Sequence, residues 1–246
     1  MIKGWLDRGR RRSLELLDVY YTRAGYPGPL GRYRDAIRDR LGPDVCVLDA
    51  GCGAAMPMTR DVFPFVRLAV GVDVERPTPP RPGPHGCPAD LNALPFRARS
   101  FDLIISLSVV EHLKDPERVF REFHRVLRPG GVVVAQTPNR FDYVSLIAAA
   151  TPHAVHRWLI PRIMSRGAGD VFPTFYRANT RGRLERVLGT SGLVPREILY
   201  FNQYPAYLMF SPLLFRLGVL WERLTTRFRA LAPLRGWILL VAEKPR

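Results

Sequence analysis

The sequence predicts an α/β protein built on a doubly wound, mostly parallel sheet. Three observations predict it. Short apolar runs rich in β-branched residues recur at 45–50 (VCVLDA), 68–74 (LAVGVDV), 101–110 (FDLIISLSVV) and 132–138 (VVVAQTP), each reading as a buried parallel strand. Between the last two lies DPERVFREFHRVL, residues 115–127, which reads as a helix with Asp115 as its cap and Pro116 at its first position. Crossovers of this length between strands bring them into parallel pairing.

The other elements follow along the chain. Residues 1–41 read as helical and basic, with Leu30, Tyr33, Ile37 and Leu41 at helical spacing before GPD ends the pattern. RPTPPRPGPHGCP, residues 76–88, is too rich in proline for a helix or a central strand and reads as a rigid surface loop. RPGG at 128–131 breaks the helix that starts at Asp115. Residues 139–178 carry aromatics, histidines and prolines without a clean period. TRGRLERVLGTSGL (180–193) is a helix ending at Gly192, and REILYF (196–201) a strand. PAYLMFSPLLFRLGVLWERL (205–224) is apolar and helical beyond Pro212, and GWILLVAEKP (236–245) is the last strand. No internal repeat is present.

A chain of 246 residues, 47% of them apolar, suits one α/β domain with insertions or a small cap. The cysteines are Cys46, Cys52 and Cys87; their odd number and lack of C-x-x-C spacing point to a reducing compartment without a disulfide framework. The formal charge is +15, and arginine supplies nearly all of the positive part. That balance suits nucleic acid, acidic lipid headgroups or phosphorylated substrates. It is equally the mark of an arginine-biased composition, since the arginines are scattered except in RGRRR at 8–12. Acids in the following SLELLDVYY interrupt any signal-peptide core, so no export is expected. No uncharged apolar run reaches the ~18 residues of a spanning helix. The expected location is cytoplasmic, or peripheral to the inner face of the membrane.

The apolar run at 47–56, VLDAGCGAAM, enters a glycine turn behind an acid. A dinucleotide fingerprint places a third glycine where this chain has Met56, which counts against a nicotinamide or flavin. Taken alone, Asp73 reads as a turn acid and Asp90 as a cap of the turn after it. In order, however, the segments resemble class I S-adenosylmethionine-dependent methyltransferases with a type 11-like domain. Asp49, Gly51, Cys52 and Gly53 match the first motif. Asp73 lies 22 residues beyond Gly51, at the end of the second strand. ADLNALPF (89–96) matches the third segment, and residues 100–139 match the fourth and fifth strands almost throughout. The resemblance covers roughly residues 45–140.

The resemblance implies a seven-stranded Rossmann-like sheet with an α-helical lid insertion. It implies an N-terminal helical cap at 1–44 and a methyltransferase domain at 45–246, with substrate or lid insertions at about 139–179 and 203–232. The implied cofactor is S-adenosyl-L-methionine, held by Asp49, Gly51, Cys52 and Gly53, with Asp73 on the ribose and Asp90 on the adenine amine. Leu91 and Leu94 would sandwich the adenine, and Leu107 would touch the methionine part through its backbone. Two departures stand out: Ala55 replaces the third glycine of the family's motif, and the proline loop replaces the helix between the second and third strands.

The acceptor side is less defined. A general base is needed only for a neutral hydroxyl nucleophile. His112, His153 and His156 are the candidates, with Tyr143 behind them. His112 reads either as that base or as a histidine held by a loop; His153 and His156 read either as bases or as packing residues. In a related quinone-precursor branch a glutamate three residues before the Glu-His pair helps bind a metal. Here that position is Ser108, so no metal is expected. Tyr143, Phe172, Phe175, Tyr176 and Arg177 either line an acceptor pocket or form the core of the cap. Leu213, Leu214, Leu217, Leu220 and Leu224 share one helical face flanked by arginines. That face reads as an interfacial helix on a membrane, or as a lid or dimer face that buries the leucines.

The expected function is methylation of oxygen on a small-molecule, sugar or lipid-linked acceptor. The rivals are a nucleic-acid methyltransferase and a non-catalytic cofactor-binding accessory subunit. The first lacks an N/D-P-P-Y/F motif after the fourth strand, so nucleic acid is not the expected partner. The second is disfavoured by intact cofactor motifs. The oligomeric state is left open.

Overall fold

The sheet grows outward from its centre. β1 (Gly42–Ala50) is buried along its second half, and β2 (Val66–Asp73) pairs with it in parallel, Leu48 opposite Val70 and Ala50 opposite Val72. β3 (His85–Pro88) adds to β2, while β4 (Phe101–Leu107) returns to the other side of β1, with Asp49 opposite Ile105. β5 (Leu127–Pro138), β6 (Val194–Phe201) and β7 (Trp237–Glu243) complete seven strands in the order β3-β2-β1-β4-β5-β7-β6. The computed structural model describes residues 2–26, 28–80, 82–143, 145–146 and 172–246. Strand order reverses between β1 and β4, and the crevice at their carboxyl ends is where such sheets bind ligands.

β7 runs against its neighbour. Gly130 N–H donates to the Lys244 carbonyl and Asn139 N–H to the Gly236 carbonyl, so the pairing numbers run in opposite directions along β5 and β7. The sheet is therefore mixed, with parallel pairing through its first five strands.

The helix α4 (Pro116–Val126) begins as its sequence requires: the Asp115 carboxylate accepts from Arg118 N–H at 3.0 Å, and Pro116 opens the first turn. Its Val119, Phe120, Phe123 and Val126 are buried. α5 (Arg181–Ser191) packs against it and ends at Gly192, whose φ of 81° makes the left-handed cap. α3 (Pro57–Val62) follows the glycine turn, and α2 (Gly31–Arg38) precedes β1.

Two expectations are corrected. The proline-rich segment does not remain a loop to its end: His85–Pro88 pair with Val70–Asp73 as a short edge strand. The edge position explains the tolerance, because a proline there need not donate to a further neighbour. RPGG does not separate helix from strand either. β5 starts at Leu127 and carries the tetrapeptide as a bulge, Phe101 facing Leu127 but Leu103 facing Val132. The Arg128 guanidinium bonds Asp102, whose carboxylate also accepts from Cys46 N–H at 2.8 Å, so three strands are joined at that end.

The chain forms two compact units. One gathers Arg32–Pro138, Thr174–Leu199 and Ile238–Arg246, and holds most of the sheet. The other gathers Met1–Gly31, Asn139–Pro173 and Tyr200–Trp237. In the latter, α1 (Ile2–Leu17) continues into a π-helical turn, Asp18–Thr22, and packs against α6 (Pro212–Arg227). Phe215 and Val219 of α6 are buried against Leu16, Leu17, Tyr20 and Tyr21. The Tyr21 hydroxyl donates to Glu222 at 2.5 Å, and burial pushes the Glu222 carboxyl up to about 8.

Candidate cofactor site

The turn after β1 is shaped by what its glycines leave out. Gly51 has φ 81°, and a Cβ there would lie 2.2 Å from Val109 Cγ2. Gly51 and Cys52 N–H groups both donate to the Val72 carbonyl, at 2.8 and 3.0 Å, folding the turn over the end of β2. Gly53, φ 66°, has open space where a Cβ would stand, and its N–H donates to Asp73 Oδ2 at 2.8 Å. Asp73 Oδ1 accepts from Glu75 N–H at 3.0 Å. A carboxylate has about four acceptor sites, so the half-buried Asp73 keeps capacity for two more donors, such as the hydroxyls of a ribose.

Met56 stands where a dinucleotide site has its third glycine, in the left-handed region at φ 51° and fully buried. The room it needs comes from across the sheet. A Cβ on Gly71 would lie 2.7 Å from Met56 Cε and 2.7 Å from Cys52 Sγ; one on Gly86 would lie 3.2 Å from Met56 Sδ. The proline loop is tied to the same turn, Thr78 N–H and Oγ1 both donating to the Ala54 carbonyl.

The remaining cofactor candidates occupy different settings. Asp49 lies beneath the turn, 2% exposed, accepting from Thr59 Oγ1 at 2.6 Å. Burial pushes its carboxyl up to about 7, with the charge of Asp73 adding to the rise and the Thr59 hydrogen bonds opposing it. Cys52 is buried and its thiol is pushed up to about 12, so it is a neutral thiol at physiological pH. Asp90 is exposed, with Oδ1 accepting from Asn92 N–H and Nδ2, the turn cap that its residue type favours. Leu91 and Leu94 are buried, and Leu107 is half-buried at the end of β4. Ser108, next in the chain, is held at φ 56° with its N–H on the Gln136 carbonyl.

Sequence reasoning missed a polar network beside His112. Glu111, 5% exposed, accepts from Thr137 Oγ1 at 2.8 Å, and Asn179 Nδ2 donates to Thr137 Oγ1 at 2.6 Å. Burial raises the Glu111 carboxyl. His112 Nε2 is 3.9 Å from Glu111 Oε1. The Glu111 carbonyl accepts from Phe175 and Tyr176 N–H, which anchors these two aromatics beyond the end of β4. Gln136 is fully buried with no hydrogen-bond partner for either amide atom among the described residues. Burial raises the Tyr143 phenol, with Asp142 and Glu222 adding to the effect. His153 and His156 lie outside the described residues. Among those described, no group of three or more His, Cys, Asp or Glu side chains is gathered to hold a metal.

Comparisons with known proteins identify the family. The methyltransferase domain family matches residues 48–135. A Mycolicibacterium smegmatis protein described as "Probable S-adenosylmethionine-dependent methyltransferase" is 36% identical over 107 residues, 39% of each chain. The ubiquinone biosynthesis O-methyltransferase of Ruegeria pomeroyi is 30% identical over 217 residues, 80% of this chain and 81% of its own. The crystal structure of an S-adenosylmethionine-dependent methyltransferase from Mesorhizobium loti superposes with a TM-score of 0.55 at 19% identity, over 87% of this chain and 97% of that one. With the fold matched and a relative aligned across four-fifths of both lengths, the protein belongs to the class I S-adenosylmethionine-dependent methyltransferases, enzymes whose cofactor is S-adenosyl-L-methionine.

Proposed function

We propose that the protein methylates an oxygen atom of a small-molecule, sugar or lipid-linked acceptor. The observation that carries this reading is the long alignment with the Ruegeria pomeroyi O-methyltransferase. The glycine turn fits the cofactor, since Gly53 leaves open space above the chain and Asp73 keeps free acceptor capacity beside it. In this reading Gly51, Cys52 and Gly53 pass beside the cofactor and Asp73 holds its ribose. Asp90, Leu91 and Leu107 flank the rest, and Asp49 supports the turn from below. When bound, S-adenosylmethionine would supply an electrophilic methyl group for the acceptor oxygen, with S-adenosylhomocysteine and the hydroxyl proton as the other products. The protein's part is to align the acceptor and exclude water. His112, His153 and His156 are the proposed residues for taking the proton; His112 Nε2 lies 3.9 Å from Glu111 Oε1.

Incubating the enzyme with methyl-labelled cofactor and separate lipid, sugar and RNA fractions tests the acceptor class. Label in a lipid or sugar ether supports the proposal; label in RNA alone overturns it. Turnover is expected to survive EDTA, because Ser108 stands where the metal-dependent branch has an acid; loss of activity with EDTA and its return with magnesium would refute that point. Asp73→Ala is expected to weaken cofactor binding by about 1.5–3 kcal/mol, the worth of a hydrogen bond to a charged group. Calorimetry on the folded variant measures it, and unchanged affinity removes Asp73 from the ribose.

A further inference from the structure

α6 is a helix turned inside out. Its inner face buries Phe215, Gly218 and Val219, but also Glu222 and Thr225. Its outer face carries leucines: Leu213 is 67% exposed, Leu217 52%, Leu220 53% and Leu224 41%. At 100° per residue these four fall within about 60° of one another on the helix, the geometry of a narrow continuous ridge. A lid helix that buried these leucines within its own chain would leave them covered; they are exposed. Arg216, Arg223 and Arg227 run along one flank of the ridge, all exposed. Glu222 is the only acid from 205 to 235, and it is buried. The outer surface of α6 is thus apolar and positive, with no negative charge. α1, packed against α6, adds exposed Arg8, Arg10, Arg11 and Arg12.

We infer that the outer face of α6 docks on an anionic phospholipid bilayer. The leucines enter the headgroup–acyl boundary, while the arginines lay their stems along the apolar surface and place their guanidinium groups among lipid phosphates. No helix among the described residues is long and apolar enough to cross a membrane, so the contact is in-plane. Charge selects this occupant over a second copy of the chain. An antiparallel isologous pairing sets the same patch against itself and lays like-charged arginine rows along one side of the seam, whereas an anionic surface neutralises them. The inference holds whichever acceptor is methylated.

Flotation of the full chain tests it without reference to activity. The protein is expected to float with vesicles containing phosphatidylglycerol, far less with phosphatidylcholine alone, and to be released by salt as the Debye length shortens from about 10 Å at 0.1 M to about 3 Å at 1 M. Leu217→Ser with Leu220→Ser, both at exposed positions, should keep the circular dichroism spectrum and lower vesicle partitioning by about tenfold or more. Arg216→Gln with Arg227→Gln should weaken binding to anionic vesicles and flatten its salt dependence. Failure of the native chain to float, or unchanged partitioning of the leucine variant, overturns the inference. So does a native dimer in sedimentation that the leucine variant converts to monomer, which would assign the ridge to a second copy.

Discussion

Gly51→Ala is expected to lower stability by about 2–5 kcal/mol and to reduce methyl transfer about a hundredfold. Two costs combine. An L-residue in the left-handed region costs roughly 1–2 kcal/mol, and Gly51 sits at φ 81°. The added methyl would stand 2.2 Å from Val109 Cγ2, with Cγ1 and Cβ of the same valine at 3.1 and 3.2 Å, and overpacking of this kind costs about 1–3 kcal/mol. Val109 has little freedom to retreat, because Ser108 before it is fixed at positive φ by its bond to Gln136. A displacement of about 1 Å in a positioned group is enough for a hundredfold loss of rate. Gly53→Ala is the control. It shares the positive φ but meets nothing within 4 Å, so it should lose only the conformational part. Urea melts of the two variants measure the difference; equal midpoints would mean that Val109 does not constrain the turn.

Asp49→Asn is expected to change how stability depends on pH. The folded-state pKa of Asp49 is raised from 3.8 to about 7, first by burial. Between those values the folded chain holds a proton that the unfolded chain has released, so stability falls as pH rises through the window. Asparagine keeps an oxygen for the Thr59 hydroxyl and carries no charge to desolvate. Relative to the native chain, the variant should therefore gain between pH 4 and pH 8. The limit is about 4 kcal/mol, taking 1.36 kcal/mol for each tenfold change in proton affinity. Glu222 and Glu111 are raised in the same direction and leave a residual slope in both proteins. Denaturant melts at pH 5 and pH 8 give the comparison. A variant whose stability tracks the native chain at both values would show that Asp49 titrates normally.

The central strands and their order of appearance were legible because burial on both faces writes itself as uninterrupted apolar runs, and Asp115-Pro116 because a cap is a local event. β3 was not, since proline content excludes a central strand but says nothing of an edge. Met56 looked like a missing glycine only while the requirement was sought in one loop; Gly71 and Gly86, on neighbouring strands, meet it from outside. The Glu111–Thr137–Asn179 network joins residues 26 and 42 positions apart and has no local signature. On α6 the leucine period was clear, but period alone does not say which face turns inward, and a buried Glu222 opposite exposed leucines reverses the usual assignment.

The helical unit is discontinuous, and this bears on how the chain is made. Its N-terminal arm is anchored through Tyr21 to Glu222, 201 residues later. At a synthesis rate of about 5–20 residues per second, the arm waits roughly 10–40 s after emerging before that partner exists. During the wait β1 to β5 are already available to one another through mostly short-range crossovers, so the sheet can consolidate around its first five strands while the arm is still a lone basic helix. Internal deletion of α6 would therefore leave the five parallel strands to pair as before and the arm without its Glu222 partner.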